Sequence, residues 1–212
     1  GVSRMASLEI VLEKAARTYS EEEKLALDER KNRYYVQLIR NLTDAAILSG
    51  AKETVIRLRE AGVLTAVASS SKNARLILTQ VGLLDLFDAI VDGTQITKSK
   101  PDPEVFLKAA ELLHKNPQDC IVVEDADAGI AAAKSAGMYA VAVGNAHGGD
   151  LHYSGLDSMD LLELTTGEER NETLRNKQGS EGTGSHVCEG ALLSSTVLPL
   201  YTGRMENQGT RI

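Results

Sequence analysis

Residues 120–143 read CIVVEDADAGIAAAKSAGMYAVAV. Two short apolar runs, CIVVE (120–124) and YAVAV (139–143), enclose a helical pattern that closes on Gly137. Near-continuous Val/Ile/Ala runs separated by an amphipathic helix are the pattern of parallel β-α-β units, with both faces of the sheet covered. Upstream the same alternation continues. LTAVA (64–68) and DAIVD (88–92) are interleaved with the helical segments KETVIRLREAG, KNARLILTQVG and PEVFLKAAELLH. Gly62, Gly82 and Gly137 stand just past helix ends, where a left-handed residue is commonly required. Residues 48–164 are therefore expected to form an α/β core on a Rossmann-like parallel sheet.

The flanks differ. Residues 1–47 read as a partial helical unit, with Ser7 a candidate cap before LEIVLEKAAR. A second helix starts near Ser20, where Glu21, Glu22 and Glu23 suit the helix dipole, and runs through Leu25, Tyr34 and Leu38 toward Asn41. In residues 165–212 about half the positions are Gly, Ser, Thr, Asn or Gln. Such a stretch buries too little surface to offset its ordering entropy, so an irregular, disordered tail is expected, with only ALLSSTVLPLY (191–201) apolar enough for a strand.

Across 212 residues, 42% hydrophobic and 25% charged is an ordinary soluble globular composition. A net charge of −7 argues against obligate nucleic-acid or anionic-membrane binding. No run of ~20 apolar residues spans a membrane, and no basic-then-apolar leader opens the chain. Cys120 and Cys188 cannot make a disulfide framework, so a reducing cytoplasm is expected. The chain opens on Gly1 without an initiator Met, which hints that its true start is missing.

In open parallel sheets a ligand sits outside the carboxyl ends of the strands. LTAVA is followed by Ser69-Ser70-Ser71-Lys72-Asn73, which offers hydroxyls and backbone N–H groups to a phosphate, or simply caps the next helix. After the next strand, Lys100 lies on a loop stiffened by Pro101 and Pro103, where it would neutralise phosphoryl charge or stand solvated. CIVVE leads into Glu124-Asp125 and then Asp127. Adjacent carboxylates at a buried strand end are costly unless a cation joins them, and hard oxygen ligands suit Mg²⁺. Helix capping would account for Asp127 but not for the pair. Together, phosphate cradle, ammonium and metal ligands at successive strand ends describe a phosphoryl-transfer site.

AVASSSKN, SKPDPEVF and VVEDADAGIAAAKSAGM resemble the second, third and fourth motifs of the haloacid dehalogenase superfamily of phosphotransferases. GVSR at 1–4, ERKN at 29–32 and SSSKN at 69–73 resemble its β-phosphoglucomutase branch. The resemblance implies a Rossmann-like core carrying a helical cap, Mg²⁺ as cofactor, and interconversion of β-glucose 1-phosphate and glucose 6-phosphate through glucose 1,6-bisphosphate by a monomer. It implies that Ser69 and Lys100 hold the transferring phosphoryl group and that Glu124 and Asp125 bind the metal. Arg4, Ser71, Lys72 and Asn73 would grip the far phosphate, beside Ser70 of the same loop, and Lys31 would lie near the sugar hydroxyls. Residues 1–7, with Gly1, Val2, Ser3 and Ser7, match a cap loop in which Met5-Ala6 replaces a more usual acidic pair.

The superfamily's first motif, a strand ending Asp-x-Asp-Gly that supplies an aspartate nucleophile, has no counterpart before Gly1. Asp125-Ala126-Asp127 is the internal candidate, but its place matches the fourth motif. The sheet is therefore expected to lack its central strand and to present unpaired edges, and the chain to be catalytically impaired. A small-molecule phosphatase and an inert sugar-phosphate-binding fragment are the alternatives. His147 and His152 are read as solvated loop residues, His114 as facing a helix C-terminus, and Cys120 as a small buried hydrophobe.

Overall fold

A computed structural model describes residues 4–159 and the backbone of 190–194. Its six strands are β1 (Leu64–Ala68), β2 (Ala89–Val91), β3 (Cys120–Glu124), β4 (Tyr139–Val143), β5 (Leu151–Tyr153) and β6 (Gly190–Ser194). They form one parallel sheet in the order β2-β1-β6-β3-β4-β5. Among the described residues the helices are α1 (Arg4–Leu12), α2 (Glu21–Arg40), α3 (Ala51–Glu60), α4 (Ala74–Gln80), α5 (Glu104–Leu112) and α6 (Asp127–Ser135).

Strand alternation sorts the core into two layers. Val67, Ile90, Ile121, Val123, Val141 and Val143 pack with α3 and α4, through Val55, Leu58, Ile77 and Leu78. Ala66, Ala68, Ala89, Val122, Ala140 and Ala142 face α5 and α6, through Phe106, Ile130, Ala132 and Ala133. Small strand residues on the second face bring those helices close to the backbone at the strands' carboxyl ends, where the candidate site lies. Gly62, Gly82 and Gly137 have φ of 79°, 71° and 75°, as their places after helix ends require.

The α2 boundaries follow from a capping box. Ser20 Oγ accepts from Glu23 N (3.2 Å), and Glu23 Oε2 accepts from Ser20 N (2.9 Å). Ser7 is not a cap: α1 begins at Arg4, so Ser7 lies inside the helix and residues 4–7 are helical rather than loop. Gly1, Val2 and Ser3 lie outside the described residues. His152 is a strand residue in β5, its Nε2 2.8 Å from Gly144 O, and not a loop histidine. Cys120 is fully buried, as expected of a small hydrophobe.

The largest correction concerns the centre of the sheet. The expected gap is filled: β6 lies between β1 and β3, with Ala66 and Val122 on either side of Leu192. Two parallel strands flanking a gap present a full row of N–H and C=O groups each, and an inserted strand satisfies both rows. The remainder of the expected tail, 165–189 and 195–212, lies outside the described residues. Among the described residues no helix is long and apolar enough to cross a membrane.

A proline cannot donate to the ladder, so Leu192→Pro tests the insertion. The variant is expected to lower the thermal midpoint of the whole domain by several degrees or abolish cooperative unfolding, as followed by circular dichroism. An unchanged melt would show that β6 does not stabilise the sheet.

Candidate active site

Lys100 is the centre of the site. Its Nζ donates to Glu124 Oε2 at 2.7 Å and to Ala68 O at 3.3 Å, and it stands 4.6 Å from the centroid of the Phe106 ring. Both charged side chains are 1% exposed. A solvated loop lysine is thereby excluded: the ammonium ties the end of β1 to the end of β3. The peptide bond Lys100–Pro101 is cis.

Glu124 is held on both oxygens. Oε1 accepts from Asp125 N (3.2 Å) and Ala126 N (3.1 Å), while Oε2 takes Lys100. A Cβ on Gly129 would lie 2.0 Å from the Glu124 carboxyl carbon, so only glycine lets α6 pass this close. Asp125 follows on the outer side. Its carboxyl is pushed up from the ordinary carboxylate value, first by desolvation and then by the hydrogen bond and charge of Glu124. A bound cation would relieve that repulsion. Two adjacent carboxylates fit Mg²⁺, which needs only one or two with substrate phosphate and water completing its shell. Among the described residues no third His, Cys, Asp or Glu joins them.

The loop after β1 supplies the anion-binding side. Ser69 is buried; its N–H donates to Val91 O (2.9 Å) and its Oγ accepts from Ser71 N (3.2 Å). Ser71 Oγ accepts from Asn73 N (3.2 Å), a bond within the loop; α4 has Asn73 at its N-cap with no side-chain cap, so the serines do not cap the helix. Ser70 Oγ is buried without a partner. Among the described residues the N–H groups of Ser70 and Lys72 also take no hydrogen bond. Two free amides and an orphan hydroxyl in one turn form a cradle for an anion. Gly93 supports it from below, where a Cβ would meet Ser70 O at 2.3 Å.

The helical unit reaches this loop through α2. Asn73 Nδ2 donates to Asn32 Oδ1 at 3.1 Å. Lys31, next to that contact, and Lys72 are exposed, and neither forms an ion pair among the described residues. Arg4 does not touch the loop; its Nε lies 2.6 Å from Asp28 Oδ2 on α2. Ser69, Ser70, Ser71, Asn73, Lys100, Glu124 and Asp125 thus gather at the carboxyl ends of β1 and β3, and Lys31 is brought no nearer than its neighbour Asn32, which contacts Asn73. Asp127 does not cap α6. It is the helix's first residue, and its Oδ1 accepts from His147 N (2.7 Å).

Sequence reasoning passed over Asn32, Asp28, Gly93, Gly129 and Glu104. A glycine in the first turn of α6 was the available signal for Gly129, since glycine there marks close approach. Glu104 Oε2 accepts from Thr97 N (2.9 Å), Thr97 Oγ1 (3.0 Å) and Lys98 N (2.7 Å), which anchors the segment leading into Lys100. Lys108 first, then these backbone donors, holds its carboxyl at about 2 rather than 4.5.

Lys100→Met is expected to cost about 3–5 kcal/mol, because it strands the buried Glu124 charge. Adding Glu124→Gln should restore most of that loss in urea unfolding. If the single and double variants are equally unstable, the ion pair is not what couples these strands. A depressed carboxyl stabilises the fold above its unfolded value, so the Glu104 contribution is full above pH 4.5 and disappears as pH falls toward 2. Glu104→Gln should flatten the stability profile in that window, and an unaltered profile would remove Glu104 as the anchor.

The profile of the haloacid dehalogenase-like hydrolases matches residues 2–137. The chain is similar to Beta-phosphoglucomutase from Bacillus subtilis (strain 168), 47% identical over 146 residues, covering 68% of this chain and 65% of that protein. It is also similar to Bifunctional riboflavin kinase/FMN phosphatase from Arabidopsis thaliana, 35% identical over 120 residues, 55% of this chain and 32% of that protein. The chain therefore spans less than two thirds of the length of these curated relatives. The crystal structure of beta-Phosphoglucomutase from Clostridium difficile superposes with a TM-score of 0.74 at 39% identity, covering 82% of this chain and 79% of that one. A matched profile over more than half the chain, on an α/β core of this topology, places the protein: it belongs to the haloacid dehalogenase-like hydrolase family.

Proposed function

We propose that this chain carries the sugar-phosphate site of a β-phosphoglucomutase, an enzyme that moves a phosphoryl group between the C1 and C6 oxygens of glucose. The observation that supports it most is the buried ammonium of Lys100, fixed between the ends of β1 and β3 beside an anion cradle. The similarity to the Bacillus subtilis and Clostridium difficile mutases points the same way.

In this reading Ser69 Oγ and the free N–H group of Ser70 hold oxygens of the transferring phosphoryl group. Lys100 is placed to balance the charge those oxygens carry, and burial strengthens its effect. Glu124 and Asp125 would hold Mg²⁺, which when bound supplies electrostatic stabilisation of phosphoryl oxygens. Ser71, Lys72, Asn73 and Arg4 would grip the non-reacting phosphate, with Lys31 at the sugar hydroxyls. A second phosphate site is what lets either end of the sugar be presented to the reacting one. The 212 residues contain no Asp-x-Asp-Gly, so the accepting aspartate that the resemblance implies has no counterpart among them. Residues 1–47 act in this scheme as part of a cap, and 48–164 with β6 (Gly190–Ser194) as the core.

A phosphatase acting on small phosphate esters is the second reading, favoured by the hydrolase profile and the Arabidopsis relative. The far-phosphate residues discriminate, since hydrolysis of a monoester has less need of them.

Titration calorimetry with glucose 1,6-bisphosphate and Mg²⁺ is expected to show binding that weakens at least about tenfold in Ser69→Ala/Asp125→Asn and on chelation of the metal. Conversion of β-glucose 1-phosphate by the same chain should be at least ~10³-fold slower than by the Bacillus subtilis relative, in line with losing a covalent nucleophile. Absence of binding, or turnover at the relative's rate, would each overturn the scheme.

A further inference from the structure

Arg4 and Asp28 form an asymmetric pair. The base is 39% exposed at its side chain and the acid 6%. Asp28 Oδ2 meets Arg4 at Nε, whereas Asp28 Oδ1 is buried and takes no hydrogen bond. Among the described residues Arg4 has no other ion-pair partner. One carboxylate oxygen at Nε leaves the outer N–H groups of both terminal nitrogens free, and those are the donors that grip a phosphate in a two-pronged fashion.

Two further observations locate and explain the pair. Asp28 and Asn32 are four apart on α2, hence on one face and about 6 Å apart along the axis. Asn32 is the residue that docks on Asn73 of the phosphate loop. The arginine held at Asp28 is therefore one helical turn from that loop. Arg4 also opens α1, whose first turn contains no acidic residue. A cation there is disfavoured by the helix dipole, and Asp28 from the neighbouring helix offsets this.

We propose that Asp28 is a positioning residue: it holds the guanidinium of Arg4 by its Nε edge beside the 69–73 loop, ready to take the far phosphate of a sugar bisphosphate. This rests on the reading of Arg4 given under Proposed function and adds a residue to it. Asp28 opposes the phosphate charge as well as fixing the arginine, so the sign of its effect must be decided. The guanidinium is exposed and screened by water, which makes the repulsion small. Releasing a long side chain with four rotatable bonds is the larger loss. Fixing wins, and removal of Asp28 weakens binding.

The test is titration calorimetry of glucose 1,6-bisphosphate with Mg²⁺ on the 212-residue chain, with thermal melts of every variant. Arg4→Ala should raise Kd about tenfold or more, and Asp28→Ala about three- to tenfold. In the Arg4→Ala background Asp28→Ala should have no further effect, a dependence that a purely structural role would not produce. Asp28→Glu keeps the charge but moves it by one methylene; it should raise Kd two- to threefold, and it carries the test if Asp28→Ala melts early. If Arg4→Ala weakens binding while Asp28→Ala and Asp28→Glu leave it unchanged or tighten it, the positioning role is wrong and the reading of Arg4 stands. Equal losses from Asp28→Ala with and without Arg4 also overturn the role. Binding indifferent to Arg4→Ala overturns the reading of Arg4, and the inference with it.

Discussion

A lysine at 1% exposure cannot stay charged without partners, and the fold around the site is arranged to supply them. The Glu124 carboxylate comes from the end of β3, the Ala68 carbonyl from the end of β1 and the Phe106 ring from α5. Each partner belongs to a different element, so the ammonium has its place only when sheet and helix are assembled. Glu124 depends in turn on two amides at the start of the α6 turn and on the absence of a side chain at Gly129. Charge, glycine and strand order are thus one constraint. It sets a cation at the sheet's rim with no freedom to move.

Central position gives β6 its importance. Lys100 bonds to the ends of both β1 and β3, and one strand lies between them. Residues 190–194 form that strand in parallel register, with Ser194 paired to Ala68. Within a stretch rich in polar and small residues, GALLS (190–194) is set where backbone groups most need partners. Burial of hydrogen-bonding edges, rather than side-chain propensity alone, selects the position.

How much of this was legible beforehand depended on the range of the interaction. LTAVA, CIVVE and YAVAV gave strand boundaries that match residue for residue, because a strand buried on both faces is a continuous apolar word. Ser20 and Glu23 announced the start of α2 through a local capping box. The strand-end motifs were likewise readable, since a loop after an apolar run faces one rim of a parallel sheet. What could not be read was set by distant partners. Lys100 has the sequence context of a surface lysine, and its burial comes from residues 24 and 32 positions away. LHY at 151–153 is too short and too polar to signal a strand; β4 makes it one by lending its edge. Asn32 and Asp28 look like ordinary polar positions of a surface helix until α4 and α1 are set against them.

Net charge and site charge also separate here, with a consequence for what the protein can bind. The chain carries −7 overall, which repels polyanions at long range. Around the strand ends the charges are locally matched, Glu124 with Lys100 and Arg4 with Asp28, while Lys31 and Lys72 form no ion pair among the described residues and the loop keeps free amides. Fields from dispersed surface acids fall off within a Debye length, about 8–10 Å, whereas hydrogen-bonding contacts at the loop are shorter than that. A compact anion at the loop therefore meets free amides and those two unpaired lysines, whereas an extended polyanion also meets the acidic surface. The two kinds of anion thus meet different net fields on the same chain, and the difference is one of range alone.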